Sequence, residues 1–451
     1  MSLIETVKKP AIAVTRTVGA DMLTPLRAYA ALATPAASCL LESVESGGRI
    51  SRYSFLGIDY LATTTFESDA SMLDRIRSFV RDAVPQSGDV SLGGALLAFS
   101  YDAARPFARL APRTADVPTM PDAYVAVPAT WLIFDHFSDR VTIWTCGYDE
   151  SALQTRIDTY LGRLLESPTS LPQRVRASRT MAATMKHDQY LTRVHRIKQY
   201  ILDGEVYQLQ LGIRFSAELD GTPLDLYRAL RSRNPSPYMF YVDGPFGQIL
   251  GASPEFLVRL DGRTARIRPL AGTRSRGATP AEDAEIAQEL LSNEKERAEH
   301  VMLVDLGRND LGAVCETGSV KVEELLQIER YSHVMHIVSD LSGRLRENRD
   351  ALDLFAAGFP AGTVTGTPKV RAMQLIDELE PQTRGFYAGS VGRLSYSGDF
   401  DSCISLRCVH VVEGRAYWQA SAGIVADSDP QAEYEEVLQK TRIAREVLGI
   451  Q

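Results

Sequence analysis

From Cys39 to about Ile143 the chain is written in short β-rich runs, CLLESVES, RYSFLGI, GALLAFSY and VAVPATWLIFDH, each cut off by Gly, Pro or Asp. Runs this short bury their apolar faces only against one another or against helices, so residues 1–165 predict a β-rich region with few long helices. Residues 166–186 are rich in Ser, Thr, Pro and Arg without an apolar period and predict a linker or crossing loop. Beyond it, residues 187–451 change character. Leu191, Val194, Ile197 and Ile201 have helical spacing, and Gly204 predicts the stop. VYQLQLGIRFSAEL then predicts a strand. Thr279, Pro280 and Glu282 form the cap, first-turn proline and capping-box glutamate of a helix running towards Val304. A last helix is predicted from Asp429-Pro430 to Gly449.

Composition narrows the function classes. Apolar residues at 45% and charged residues at 24% exclude a disordered chain. Forty-nine basic against 57 acidic residues give a net charge of −8 with no Lys/Arg run, which speaks against nucleic acid. No stretch reaches the ~20 apolar residues of a membrane span, and the first residues lack a signal-peptide pattern, so a cytoplasmic protein is expected. The five cysteines show no metal spacing and read as reduced, buried thiols.

Two ExxE pairs, Glu296/Glu299 and Glu433/Glu436, each place two carboxylates on one helix face. Carboxylates on two facing helices suit Mg²⁺, although by spacing alone each pair also fits a solvated acidic face. Glu255 in GASPEF lies between two apolar runs, where partial burial would raise its pKa and suit it to general-acid work. RPLAGTRSRG and FPAGTVTGTPK are Gly/Thr loops able to hold a carboxylate or phosphate, and neither has the Walker A order. Arg407 stands inside the apolar run SCISLRCVHV, so either an internal acid or an anionic ligand must face it.

Together the strings LLES, NPSPYM, ASPE, RPLAGTR, KERAEHVMLVDLGRNDLG, ERYSHVMHIVS, FPAGTVTGTPK, IDELEP and AGIVADSDP resemble the chorismate-utilising enzymes, on the branch of anthranilate synthase component I. The resemblance covers most of the chain. It implies an α+β fold, two layered antiparallel sheets with helices around one active-site cleft. It also implies that Glu299 and Glu436 bind Mg²⁺, with Glu296 and Glu433 holding metal-bound water or standing behind the direct ligands. Thr273, Thr363, Tyr387, Arg407, Ala422, Gly423 and Lys440 would line the chorismate site, Tyr387 and Arg407 taking the enolpyruvyl carboxylate. Glu255 matches the general acid for the departing C4 hydroxyl, and His336 the histidine of pyruvate elimination.

Water-using relatives, the isochorismate and salicylate synthases, carry a lysine where this chain has Gln208. Many aminodeoxychorismate synthases carry a lysine where it has Ala271. The resemblance therefore implies attack by ammonia at C2, giving 2-amino-2-deoxyisochorismate and then anthranilate. The alternatives are an aminodeoxychorismate or 2-amino-2-deoxyisochorismate synthase, and beyond them an isochorismate or salicylate synthase or an inactive binding subunit. A glutamine amidotransferase subunit is the expected partner in a hetero-oligomer. Leu41, Glu42, Ser43, Pro237, Tyr238 and Met239 match a tryptophan feedback site, so L-tryptophan is a candidate inhibitor. Three positions depart from the family pattern: Ser421 and Thr367 stand for glycine and alanine, and Gly212 for serine.

Overall fold

The computed structural model describes residues 11–44, 52–111, 118–166, 176–177, 181–331 and 334–450. Its ladders are antiparallel and form two layers. One layer runs, in hydrogen-bonded order, Ile12–Gly19, Arg140–Gly147, Ala123–Asp135, Tyr53–Phe66, Ser38–Glu42, Tyr238–Gly244, Gly247–Ser253, Cys408–Val412, Arg415–Ile424 and Gln208–Asp220. The other runs from Lys321–Arg330 through Val334–Arg344, Thr264–Ile267, Phe256–Asp261, Phe400–Ile404 and Ser390–Ser395 to Gly94–Phe99. Leu270–Ser275 shares an edge of Val334–Arg344 with Thr264–Ile267.

The layers meet in Ala123–Asp135. One edge of this strand pairs throughout with Tyr53–Phe66, and the other is split between Gly94–Phe99 and Arg140–Gly147. Its run of apolar residues is buried on both faces, which explains why it lacks polar alternation. Between the layers lies a core containing Phe99, Trp131, Phe240, Val258, Phe355 and Phe400. A second core packs helices onto the outer face of the first layer. There His187–Leu202 buries Tyr190, Val194 and Ile197, the one face its apolar spacing defines.

The α+β expectation holds, with local corrections. Of the 166–186 segment, described residues Arg176–Ala177 and Ala182–Ala183 pair with Gln208–Asp220, and residues 167–175 and 178–180 lie outside the described residues. The helix expected from Thr279 towards Val304 is two helices, Pro280–Ser292 and Glu294–Val314. Asn293 separates them because its extended backbone closes the first while its side chain accepts from Glu296 N at 3.1 Å, capping the second. The last helix is likewise interrupted at Thr441, between Pro430–Lys440 and Arg442–Val447. All five cysteines are free and buried. Among the described residues no helix is long and apolar enough to cross a membrane.

Candidate active site

The floor of the site is the pair Gln208–Asp220 and Arg415–Ile424. Strand alternation sends Leu209, Leu211, Ile213, Ala420 and Ala422 into the helical core, and turns Gln208, Gln210, Gly212, Gln419, Ser421 and Gly423 to the opposite face. Ala422 therefore has only its backbone to offer a ligand. Gly423 allows a close approach: a Cβ there would stand 2.8 Å from the amide nitrogens of both Gln208 and Gln210. Gln208 Nε2 donates to Glu299 Oε1 at 2.8 Å. That bond fixes the amide, and its buried Oε1 has no partner.

Glu296 and Glu299 come from the helix that Asn293 caps, Glu433 and Glu436 from Pro430–Lys440. Burial, then the charges of Glu296 and Glu436, raise the Glu299 pKa; burial and Glu436 do the same to Glu433. The two helices thus bring their carboxylates within electrostatic reach of one another. Each is also held from outside. Arg274 Nη1 donates to Glu296 at 3.0 Å, Ser428 Oγ to Glu433 at 2.6 Å, and Lys440 pairs with Glu436 at 2.7 Å. Among the described residues no three His, Cys, Asp or Glu side chains already converge as a metal cage.

Glu255, between Gly247–Ser253 and Phe256–Asp261, is buried, and burial pushes its carboxyl up to about 8. Thr363 Oγ1 donates to it at 3.3 Å from a short helical turn of the FPAGTVTGTPK loop. His336, in Val334–Arg344, has Nδ1 3.1 Å from both the Gly272 carbonyl and Thr273 Oγ1. Since a carbonyl only accepts, Nδ1 carries the proton and Nε2 keeps its lone pair; Nε2 is buried without a partner. Burial, then the charges of Arg407 and Lys440, press the imidazole down to about 4.

Arg407 does not sit within a strand as its apolar neighbours suggest. It lies half-buried in a bend at φ 46° between Phe400–Ile404 and Cys408–Val412, and Nη1 donates to Asn234 Oδ1 at 3.2 Å. Tyr387 OH lies 2.7 Å from Ser421 Oγ, and Lys440 Nζ donates to the Ser421 carbonyl at 2.9 Å. His336 thus lies within electrostatic reach of Arg407 and Lys440, Lys440 ties that cationic pair to Glu436, and Glu255 lines a cavity with Thr363, Arg268 and Pro269.

A family model described as chorismate binding enzyme matches residues 37–446. The chain belongs to the chorismate-binding enzyme family. It is 42% identical to anthranilate synthase component 1 of Streptomyces coelicolor over 94% of this chain and 86% of that one. It is also 41% identical to aminodeoxychorismate synthase component 1 of Bacillus subtilis, over 89% of each chain. The crystal structure of anthranilate synthase component I from Streptococcus pneumoniae superposes with a TM-score of 0.80 at 33% identity, covering 96% of this chain and 99% of that one.

This chorismate-binding enzyme also brings its LLES and NPSPYM strings together. Ser38–Glu42 pairs with Tyr238–Gly244, Met239 opposite Glu42. Leu41 is partly buried, Met239 fully; Ser43 N donates to Ser54 Oγ at 3.4 Å, and Pro237 leads into the second strand. Glu42 accepts from Tyr227 OH at 2.6 Å and Arg231 Nε at 3.1 Å, while Tyr238 OH donates to Asp401 at 2.8 Å.

Sequence reasoning missed Gln210, Asn234 and the buried Glu380–Arg384 pair, 2.7 Å apart. The alternation QLQ in an otherwise apolar run was a usable signal for Gln210. Asn234 and Glu380 stood inside matched strings without a local pattern to mark them.

Proposed function

We propose that this enzyme is an anthranilate synthase component I: ammonia attacks C2 of chorismate, the C4 hydroxyl leaves, and pyruvate is then eliminated to give anthranilate. The observation that carries this is Gln208, its nitrogen committed to Glu299 and its buried oxygen lacking a donor. An acceptor with no proton-accepting power suits ammonia, which offers N–H donors and is nucleophilic while neutral, whereas water needs a base there. Ala271 presents a methyl group, which excludes a covalent amine nucleophile at that place.

Glu255, held protonated by burial, gives its proton to the C4 oxygen as the C2–N bond forms and the C4–O bond breaks, releasing water. One N–H proton of the new C2 ammonium is lost in exchange. His336 Nε2 then takes the C2 proton while the enolpyruvyl oxygen leaves with its electron pair. The carboxylates of the substrate offset Arg407 and Lys440, the two charges that weaken His336 as a base. Tyr387, Arg407 and Gly423 N–H hold the enolpyruvyl carboxylate; Thr273, Thr363, Ala422 and Lys440 complete the pocket.

Glu299 and Glu436 are assigned to Mg²⁺, with Glu296 and Glu433 on its waters. The fit rests on hard oxygen donors: burial and neighbouring carboxylates raise the pKa of Glu299 and Glu433, a cost that a cation would relieve. A site with one or two direct carboxylates and retained waters suits Mg²⁺ better than an all-protein cage. When bound, Mg²⁺ supplies the positive charge that orients the ring carboxylate. Ammonia would reach the enzyme from a glutamine amidotransferase subunit, and L-tryptophan would bind at Leu41, Glu42, Ser43, Pro237, Tyr238 and Met239.

Purified chain, chorismate, Mg²⁺ and ammonium at alkaline pH test the reaction, with products identified by fluorescence and mass. Anthranilate supports the reading. 4-Amino-4-deoxychorismate would instead favour the activity named for the Bacillus subtilis relative, and isochorismate formed without ammonium would overturn amination.

A further inference from the structure

Ser421 stands at the centre of a hydrogen-bond chain at the carboxylate end of the cleft. Its Oγ lies 2.8 Å from Gln210 Oε1 and 2.7 Å from Tyr387 OH, and all three side chains are buried. Position 421 is directly opposite Gly212 in the ladder, so the two departures from the family pattern noted above face each other.

The protons in this chain can be counted. Gln210 Oε1 only accepts, so the single Ser421 proton is spent on it. Ser421 Oγ must then accept from Tyr387, which makes no other hydrogen bond among the described residues. The Tyr387 ring is buried, with the Arg384 guanidinium 5.8 Å from its centroid and Arg384 itself tied to buried Glu380 at 2.7 Å. Only the O–H direction is free to change. In the resting enzyme the Tyr387 proton therefore points at Ser421, and a lone pair of its oxygen is what remains for a ligand.

We propose that Ser421 is a positioning residue that sets the direction of the Tyr387 proton, and through it how tightly this end of the cleft takes a carboxylate. The inference rests on the reading of Tyr387 as a carboxylate-binding group. To donate to a carboxylate, Tyr387 must give up Ser421. Ser421 then either keeps its proton on Gln210 Oε1 and loses the one it accepted, or turns it to Tyr387 and leaves Gln210 Oε1 without a donor. Binding thus breaks one buried hydrogen bond that would not exist with alanine or glycine at 421. The same reversal restores the chain on release, so Ser421 trades affinity for faster departure of a carboxylate product.

The test is the Kd for chorismate in Mg²⁺ without ammonium or glutamine, read by protein fluorescence in the full chain. Ser421→Ala is expected to bind chorismate about threefold to tenfold more tightly, the worth of one hydrogen bond. Gln210→Leu removes the competing acceptor from the other end and should tighten binding in the same direction, so the outcome does not hang on one variant folding. With Tyr387→Phe in the background, adding Ser421→Ala should leave Kd unchanged, a dependence that simple removal of bulk would not show. Unchanged or weaker binding in both single variants, or the same tightening without the Tyr387 hydroxyl, would overturn the proposal. Because no turnover is required, this result is separable from whether the product is anthranilate.

Discussion

Arg407 Nη1 donates to Asn234 Oδ1 across 3.2 Å, joining residues 173 apart in the chain. Asn234 closes the helix Pro223–Arg233 and opens the NPSPYM string, so one amide connects the candidate feedback strands to a group assigned to the substrate carboxylate. Asn234→Ala should raise KM for chorismate about tenfold, the range for a hydrogen bond to a charged group, and weaken inhibition by L-tryptophan. Steady-state kinetics with and without tryptophan check both effects; an unchanged KM would refute the link.

Glu255 makes the pH dependence specific. Burial pushes its carboxyl up to about 8 from an ordinary 4.5, so at neutral pH the native state keeps a proton that the unfolded chain has lost. Activity at fixed free ammonia should fall as pH rises through about 8, where the acid is consumed. Stability should fall with rising pH between about 4.5 and 8, and Glu255→Gln should flatten that slope while lowering kcat by about 10²–10⁴. Urea unfolding across pH and initial rates provide the two readings.

In the free enzyme burial, then Arg407 and Lys440, hold His336 neutral down to about 4; bound carboxylates offset those charges, so any acid limb from this group should lie at higher pH in kcat than in kcat/KM. His336→Met is expected to accumulate the amino intermediate and release little anthranilate, seen by mass spectrometry of the reaction. Anthranilate at an unchanged rate with no intermediate would remove the assignment.

Gln208→Leu keeps the size of the side chain and loses both ends of the amide. The KM for ammonium should rise about tenfold, and the Mg²⁺ needed for half-maximal rate should also rise because Glu299 loses its 2.8 Å donor. Titrations of ammonium and Mg²⁺ separate the two ends.

Stability should depend heavily on the Glu380–Arg384 pair. Both side chains are almost wholly buried, and Arg384 also donates to the carbonyls of Val364 at 2.6 Å and Gln210 at 3.1 Å. Glu380→Ala would leave a guanidinium buried without its carboxylate, a loss of about 3–5 kcal/mol by denaturant unfolding. Less than about 1 kcal/mol would mean that water reaches the pair.

Much of the local structure was legible in the residues. Gly204 ends its helix at φ 80°, Thr279 and Asp429 cap theirs, and Glu255 is buried where two apolar runs flank it. What escaped depended on partners distant in sequence. Asn293 reads as one more polar residue on a helix until its side chain is seen accepting from Glu296 N. Arg407 looks like a charge inside a strand because a single residue at positive φ leaves no mark on apolar spacing. Periodicity tells which face a residue occupies; it does not tell that Gln208 meets Glu299 or that Asn234 meets Arg407.

The splitting of one edge of Ala123–Asp135 between two neighbours bears on biosynthesis. Gly94–Phe99, which joins the layers there, needs Ser390–Ser395 on its other side, and Ser38–Glu42 needs Tyr238–Gly244. A ribosome adding ~5–20 residues per second makes Gly94–Phe99 wait roughly 15–60 s for that neighbour. Throughout that interval an apolar strand edge lies open on the nascent chain, a natural target for holding chaperones and a hazard wherever they are scarce.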